Sequence, residues 1–318
     1  MNLIRAEIHR LRSRRFLWGI VGVAALAFVL GGSIAAGKHS KLTAADLARG
    51  QEQAQAALTQ QQEFYDQCVA QQPAGQPVEQ ACQKADPSLF RGEDFATQRA
   101  FVLARQLPDG TVGVGVLTAA ALFLLGATWI GAEWSTRSLV ALLFWEPRRI
   151  KVLLTKLGVL LVAAAALAVV TQAVWFGVAN LLASTRGTRD NLPPHFYADI
   201  VRAEGRVVLF GALLSGLGFA LANLLRNTGA ALGVAALYLA VLENVVRVLR
   251  PSWVEWLFTS NAAALVSRTP VHLQVGGRGN QPSHEIVLSH LHGGLYLTGL
   301  VAGLLALGGV LFARRDLQ

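Results

Sequence analysis

The sequence predicts an all-α fold: a polytopic membrane protein with six transmembrane helices, an N-terminal amphipathic elbow helix, a short cytosolic helix and a helical extracytoplasmic loop. Three observations predict it. Of 318 residues, 53% are hydrophobic and 15% are charged, whereas a soluble protein carries about a quarter charged residues. Several windows of about 20 residues hold no charge, enough to cross roughly 30 Å of hydrocarbon as helix. The charges also sort by side. Segments 1–15, 133–156, 226–228 and 313–318 hold 13 Lys/Arg against 4 Asp/Glu, and the remainder holds 15 of each, so the whole surplus of nine lies in the segments assigned to the cytosol. Density rather than raw number sets this orientation, because long translocated loops count little. The same sorting removes nucleic acid as the reason for an isoelectric point near 10.2.

Residues 1–15 place Leu3, Ile4, Ile8 and Leu11 on one helical face and arginines on the other, as an interfacial helix on the inner leaflet does. Span 1 is 16–37. Its apolar core is too long for a signal peptide, no small-x-small cleavage site is convincing and more spans follow, so it reads as an anchor. Residues 38–110 form the extracytoplasmic loop. Thr43 with Asp46 resembles a helix start, and a Gln- and Ala-rich helix then runs toward Cys68. Pro73, Gly75 and Pro77 break that helix, and Cys68 and Cys82 flank the break. A disulfide between them is expected outside the cell, and closing the loop would contribute about 3 kcal/mol in the chain-entropy model.

Span 2 is 112–130, span 3 is 152–182, span 4 is 206–225 and span 5 is 229–248, with Arg226-Asn227-Thr228 as a tight inner turn. Residues 249–292 return outside. Trp253 and Trp256 suit the interfacial zone, Ser260 to Val266 suit a short dipping helix, and Gly276, Gly277 and Gly279 a flexible turn. Span 6 is 294–312, and both termini lie in the cytosol of a cell-membrane protein.

Few residues suggest chemistry. Gly32-Ser-Ile-Ala-Ala-Gly37-Lys38-His39 nearly spells a phosphate-binding loop, but His39 stands where Ser or Thr would hold magnesium, and the glycines end an apolar helix. His272, His284, His290 and His292 are dense enough to raise metal binding, yet their spacing matches no standard site, and no metal is expected. Glu243 and Arg247, one turn apart in span 5, read as a mutual intramembrane ion pair. Gly299/Gly303 and Gly211/Ser215 permit close helix approach.

The stretch between spans 2 and 3 carries the most information. Residues 133–150, continuing to Lys156, hold the cations Arg137, Arg148, Arg149, Lys151 and Lys156 against Glu133 and Glu146. Leu139, Val140, Leu142, Leu143 and Phe144 are apolar, and Pro147 stops the helix. A short amphipathic helix with a basic exit is a surface for a cytosolic partner to grip.

This stretch resembles the loop between the second and third spans of ABC-2 type permeases, the membrane subunits of ATP-binding-cassette exporters. The matching residues are Glu133, Ser138-Leu139, Leu142-Leu143, Pro147, Arg149, Leu154 and Lys156. Arg137 departs from the pattern, since the family often has Gly there. Trp145-Glu146-Pro147-Arg148-Arg149 is similar to the actinobacterial branch. An elbow helix, six spans, a re-entrant pair before the sixth and an Arg-Arg-Asp ending extend the likeness over the whole chain.

The resemblance implies that Ser135 to Phe144 form a coupling helix in the groove of a separate ATPase subunit, two copies of which serve two permeases, in a homodimer. No cofactor is bound by this chain; ATP and Mg belong to the partner. The chain is then no enzyme itself but forms an export path for an amphiphilic cargo. From another class, a membrane-anchored sensor or assembly protein would use the outer loop as a binding module. A membrane-embedded enzyme would need paired acids or a histidine array that the spans lack.

Overall fold

The computed structural model describes residues 3–41, 43–71, 82, 84, 86–95, 100–189, 192–275 and 284–314. Among the described residues, six helices are long and apolar enough to cross a membrane: Leu17–Lys38, Leu103–Ser135, Arg149–Arg186, Phe196–Leu225, Thr228–Leu249 and His290–Arg314. The protein is thus a helical, multi-pass membrane protein. The chain divides into two compact units, Met1–Phe28 with Leu107–Gly177 and Pro193–Gln318, and Val29–Gln106 with Val178–Leu192.

In order, the helices are α1 Leu3–Ser13, α2 Arg15–Lys38, α3 Ala44–Gln71, a single turn α4 Gly92–Phe95, α5 Leu103–Ser135, α6 Ser138–Trp145, α7 Arg149–Arg186, α8 Phe196–Leu225, α9 Thr228–Leu237, α10 Glu243–Leu249, α11 Phe258–Val266 and α12 His290–Arg314. The long helices overrun the expected spans. Hydropathy marks only the lipid-facing part, whereas Arg105 to Asp109 and Tyr197 to Glu204 continue the helices with polar residues.

Apolar side chains of the first unit gather in clusters. One joins Leu122, Trp129 and Ile130 of α5, Leu160 of α7, Phe219 of α8 and Phe312 of α12, with Leu11 of α1 and Leu139 of α6 packed in. Another gathers Ala119, Val207, Phe210, Leu265 and Leu297. Helices α5 and α8 touch backbone to backbone. A Cβ at Gly126 would lie 2.0 Å from the Ser215 carbonyl oxygen, and one at Gly218 would lie 2.2 Å from that of Phe123. Gly211 and Ser215 therefore serve packing inside the chain, whereas Gly299 and Gly303 meet nothing within 4 Å.

The fifth span is not one α-helix. A π-helical turn, Tyr238–Leu242, separates α9 from α10. Asn244 Nδ2 donates to the carbonyls of Leu239 at 3.2 Å and Ala240 at 3.0 Å, within that turn. Ser260 to Val266 lie in helix α11, with Ser260, Asn261 and Leu265 buried.

The fold is all-α, as expected, and carries two short strand pairs beside the helices. Strand β1 (Phe101–Val102) pairs in parallel with β2 (Gly187–Thr188). Strand β3 (Val271–Val275) pairs antiparallel with β4 (His284–Leu288), Val271 opposite Leu288. Val271, Leu273 and Val275 alternate with polar residues, the period of a strand. Gly276, Gly277 and Gly279 lie outside the described residues.

In the second unit α3 opens with a reciprocal cap. Thr43 Oγ1 donates to Asp46 Oδ2 at 2.6 Å, and the Asp46 N–H donates to Thr43 Oγ1 at 3.2 Å. That hydroxyl bond holds the Asp46 carboxyl below its ordinary 3.8. Cys68 and Cys82 form a disulfide with Cα atoms 5.9 Å apart; Pro73, Gly75 and Pro77 between them lie outside the described residues.

Candidate functional site

The 133–156 stretch folds as the end of α5, a two-residue turn, the short helix α6, and the start of α7. Arg137 makes the turn at φ 57°, in the left-handed region. Glycine adopts that conformation without steric cost, and a residue with a Cβ does not. Arg137 is the position where the resembling family often has Gly. At the other end of α6 the Glu146 N–H closes the helix on the Leu142 carbonyl at 3.1 Å, and Pro147 follows. Lys151 Nζ then donates to Glu146 Oε2 at 2.9 Å. That bond, ahead of the lysine's charge and Arg148, holds the Glu146 carboxyl below its usual range.

The stretch has an inward and an outward side. Leu139 is buried, and Leu142 and Leu143 pack partly buried against the core. Phe144 and Trp145 are 85% and 89% exposed. The apolar residues free to meet a partner are therefore Phe144 and Trp145 rather than Leu142 and Leu143. Inside a helix of eight residues, the positions that anchor it to its own protein cannot also enter another.

Glu133 and Lys156, read from the sequence as docking residues, are interior. Lys156 is 0% exposed and Glu133 5%. Both face α1, where Glu7 is 1% exposed. Lys156 Nζ donates to Glu7 Oε1 and Oε2 at 2.9 Å each and to Glu133 Oε1 at 2.9 Å. Three acceptors match the three protons of an ammonium. Glu133 Oε2 is also 2.9 Å from Nζ but makes no hydrogen bond.

Two arginines of the N-terminal segment complete the cluster. Arg10 Nη1 is 3.3 Å from Glu7 Oε1, and Arg14 Nη2 is 3.6 Å from Glu133 Oε1. Arg14 also donates to the carbonyls of Thr128 at 3.0 Å and Trp129 at 3.1 Å, and lies 4.4 Å over the Trp129 ring. Burial draws the Arg14 guanidinium pKa down, with Glu133 and Glu7 opposing. The cluster ties α1, the end of α5 and the start of α7 into one body.

Sequence reasoning missed Glu7 and Trp129. The apolar residues of α1 divide between two sides. Leu3, Glu7 and Leu11, spaced by four, turn inward, while Ile4 and Ile8 are 54% and 44% exposed. The spacing 3, 7, 11 was readable, but an acid between two leucines acquires its meaning from Lys156, which is 149 residues away.

Other singled-out residues fall elsewhere. Glu243 and Arg247 approach to 3.5 Å, and Glu243 Oε1 also accepts from the Thr259 N–H at 2.9 Å and from its hydroxyl. Gly32 to Lys38 continue α2 as helix, without the loop that wraps a phosphate. His39 hydrogen-bonds the Ala35 carbonyl at 2.7 Å and Gln106 at 3.0 Å. His272 pairs with Glu285 at 2.7 Å, and His290 with the Ala264 carbonyl at 2.8 Å. Among the described residues no three His, Cys, Asp or Glu side chains gather as metal ligands. Comparison with protein-family models, with curated proteins and with solved structures gives no match.

Proposed function

We infer that this chain is the membrane-spanning permease subunit of an ATP-binding-cassette exporter of the ABC-2 type, seated in the cell membrane with both termini cytoplasmic. The observation that carries the reading is α6. It is a short helix between two spans, held from within by Leu139, and presents Phe144 and Trp145 to solvent between cations at Arg137 and Arg148. A separate ATPase subunit would take the aromatic pair in an apolar groove while the cations fix register. The positive φ of Arg137, at a position where glycine is usual, supports the resemblance.

Coupling then has a physical route. Movement of α6 is transmitted to α5 and α7, which continue from its two ends, and Glu7, Glu133 and Lys156 carry α1 along as the elbow helix. Closure of the ATPase pair on ATP and Mg shifts the helices between two access states. A second copy of the chain would complete the path; α2 and the fifth span expose Val23, Leu26, Val241 and Val245 and leave surface for it. The cargo on this reading is amphiphilic.

Co-expression with candidate ATPase subunits tests the proposal. The wild-type chain brings a soluble ATPase through purification. Phe144→Asp with Trp145→Asp loses it while the protein stays folded, because both side chains are exposed. A chain that purifies alone under all conditions favours the sensor or assembly role instead.

A further inference from the structure

An apolar groove of about 330 Å³ lies between α7, α8 and α12. Its wall is Leu153, Phe219 and Asn223, each nearly fully buried, and its lip is Ile150, Leu154 and Val310, at 43%, 59% and 49% exposure. The groove is thus open sideways, toward lipid. Among the described residues Asn223 is the one polar side chain lining it, and its Oδ1 accepts from Trp134 Nε1 at 3.3 Å. An occupant must be hydrocarbon at this depth.

The mouth is different. Each of the three helices carries cations within about one turn, roughly 5 Å, of the lining residues. On α7, Arg149 and Lys151 flank Ile150, and Arg148 precedes them; Arg226 follows Asn223 on α8; Arg314 follows Val310 on α12. Arg148, Arg226 and Arg314 are exposed. Arg226 lies over the Trp134 ring at 4.9 Å, and Arg149 reaches the Phe312 carbonyl at 3.4 Å, so two of the cations are held at this end of the groove. Helix dipoles account for Arg226 and Arg314 at C-termini; at the start of α7, where the dipole opposes cations, Lys151 pairs with Glu146 and Arg148 stands exposed.

We propose that the groove holds one acyl chain of an anionic phospholipid, its phosphate met by the cations at the mouth. Hydrocarbon wall, sideways opening and positive rim together fit a lipid of the leaflet at that end and no soluble ligand. The inference needs only that the helices span a bilayer, and stands apart from the transport reading.

The full chain in detergent, incubated with phosphatidylglycerol or phosphatidylcholine of matched chains, is weighed by native mass spectrometry. One phosphatidylglycerol per chain is expected to survive delipidation, retained at least about tenfold better than phosphatidylcholine. Gly309→Leu fills the groove; a Cβ there meets only Leu153 Cδ2 at 3.8 Å, an ordinary contact. This variant is expected to lose the retained lipid. Arg226→Gln with Arg314→Gln, both on the surface, is expected to keep a lipid but lose the preference for phosphatidylglycerol. Equal retention of the two lipids by the wild type overturns the proposal, as does full retention by Gly309→Leu. A dimer mass that collapses to monomer in Gly309→Leu also overturns it, since a second copy would then be the occupant.

Discussion

Lys156 is fully buried between two carboxylates, and that arrangement has a definite cost when broken. Replacing it by Met leaves Glu7 and Glu133 buried without their shared cation, which costs about 3–5 kcal/mol. Removing three charges together, Glu7→Leu, Glu133→Leu and Lys156→Met, is expected to cost less, because the desolvation of those three is relieved while Arg14 keeps the Thr128 and Trp129 carbonyls. Thermal unfolding in detergent compares the two; equal losses would show that the side chains matter only for shape. Arg137 supplies the opposite case. At φ 57° its Cβ is strained, and Arg137→Gly is expected to stabilise the turn by about 1 kcal/mol. Glu133 and Lys156 drew notice in the sequence as charges beside a membrane. Their burial did not show, because the partner that buries them, Glu7, lies at the far end of the numbering.

Helices were legible to different degrees for physical reasons. A span needs only an uninterrupted apolar run, so all six are visible, while their ends are not, because polar residues extend a helix without announcing it. Helix α3 was readable at its start, since Thr43 and Asp46 cap within three residues. The pH dependence of that cap follows from the depressed Asp46 pKa. Its contribution is fully present above the ordinary carboxyl value of 3.8 and is lost as pH falls through the lower folded value. Amide exchange in the first turn of α3 should rise in that acid window, and Thr43→Ala should bring the rise to higher pH. Strands β3 and β4 went unread although Val271, Leu273 and Val275 alternate, because a five-residue period-2 signal is short beside a membrane-scale pattern. Helix α6 was legible as amphipathic, but which of its apolar residues face inward required the neighbours: Leu139 has Trp129 and Val152 in its cluster, and Trp145 has none.

For the molecule as a whole, the account rests on one orientation. On the proposed orientation the basic segments 1–15, 133–156 and 226–228 and the α6 aromatics are cytosolic, and the loop that holds the Cys68–Cys82 disulfide is extracytoplasmic. The most direct test is thiol labelling in intact cells with a membrane-impermeant maleimide. Both native cysteines are joined, so Trp145→Cys and Gln60→Cys each supply one free thiol. The account predicts that position 60 labels at once and position 145 only after the membrane is permeabilised. Labelling of position 145 in intact cells would contradict it.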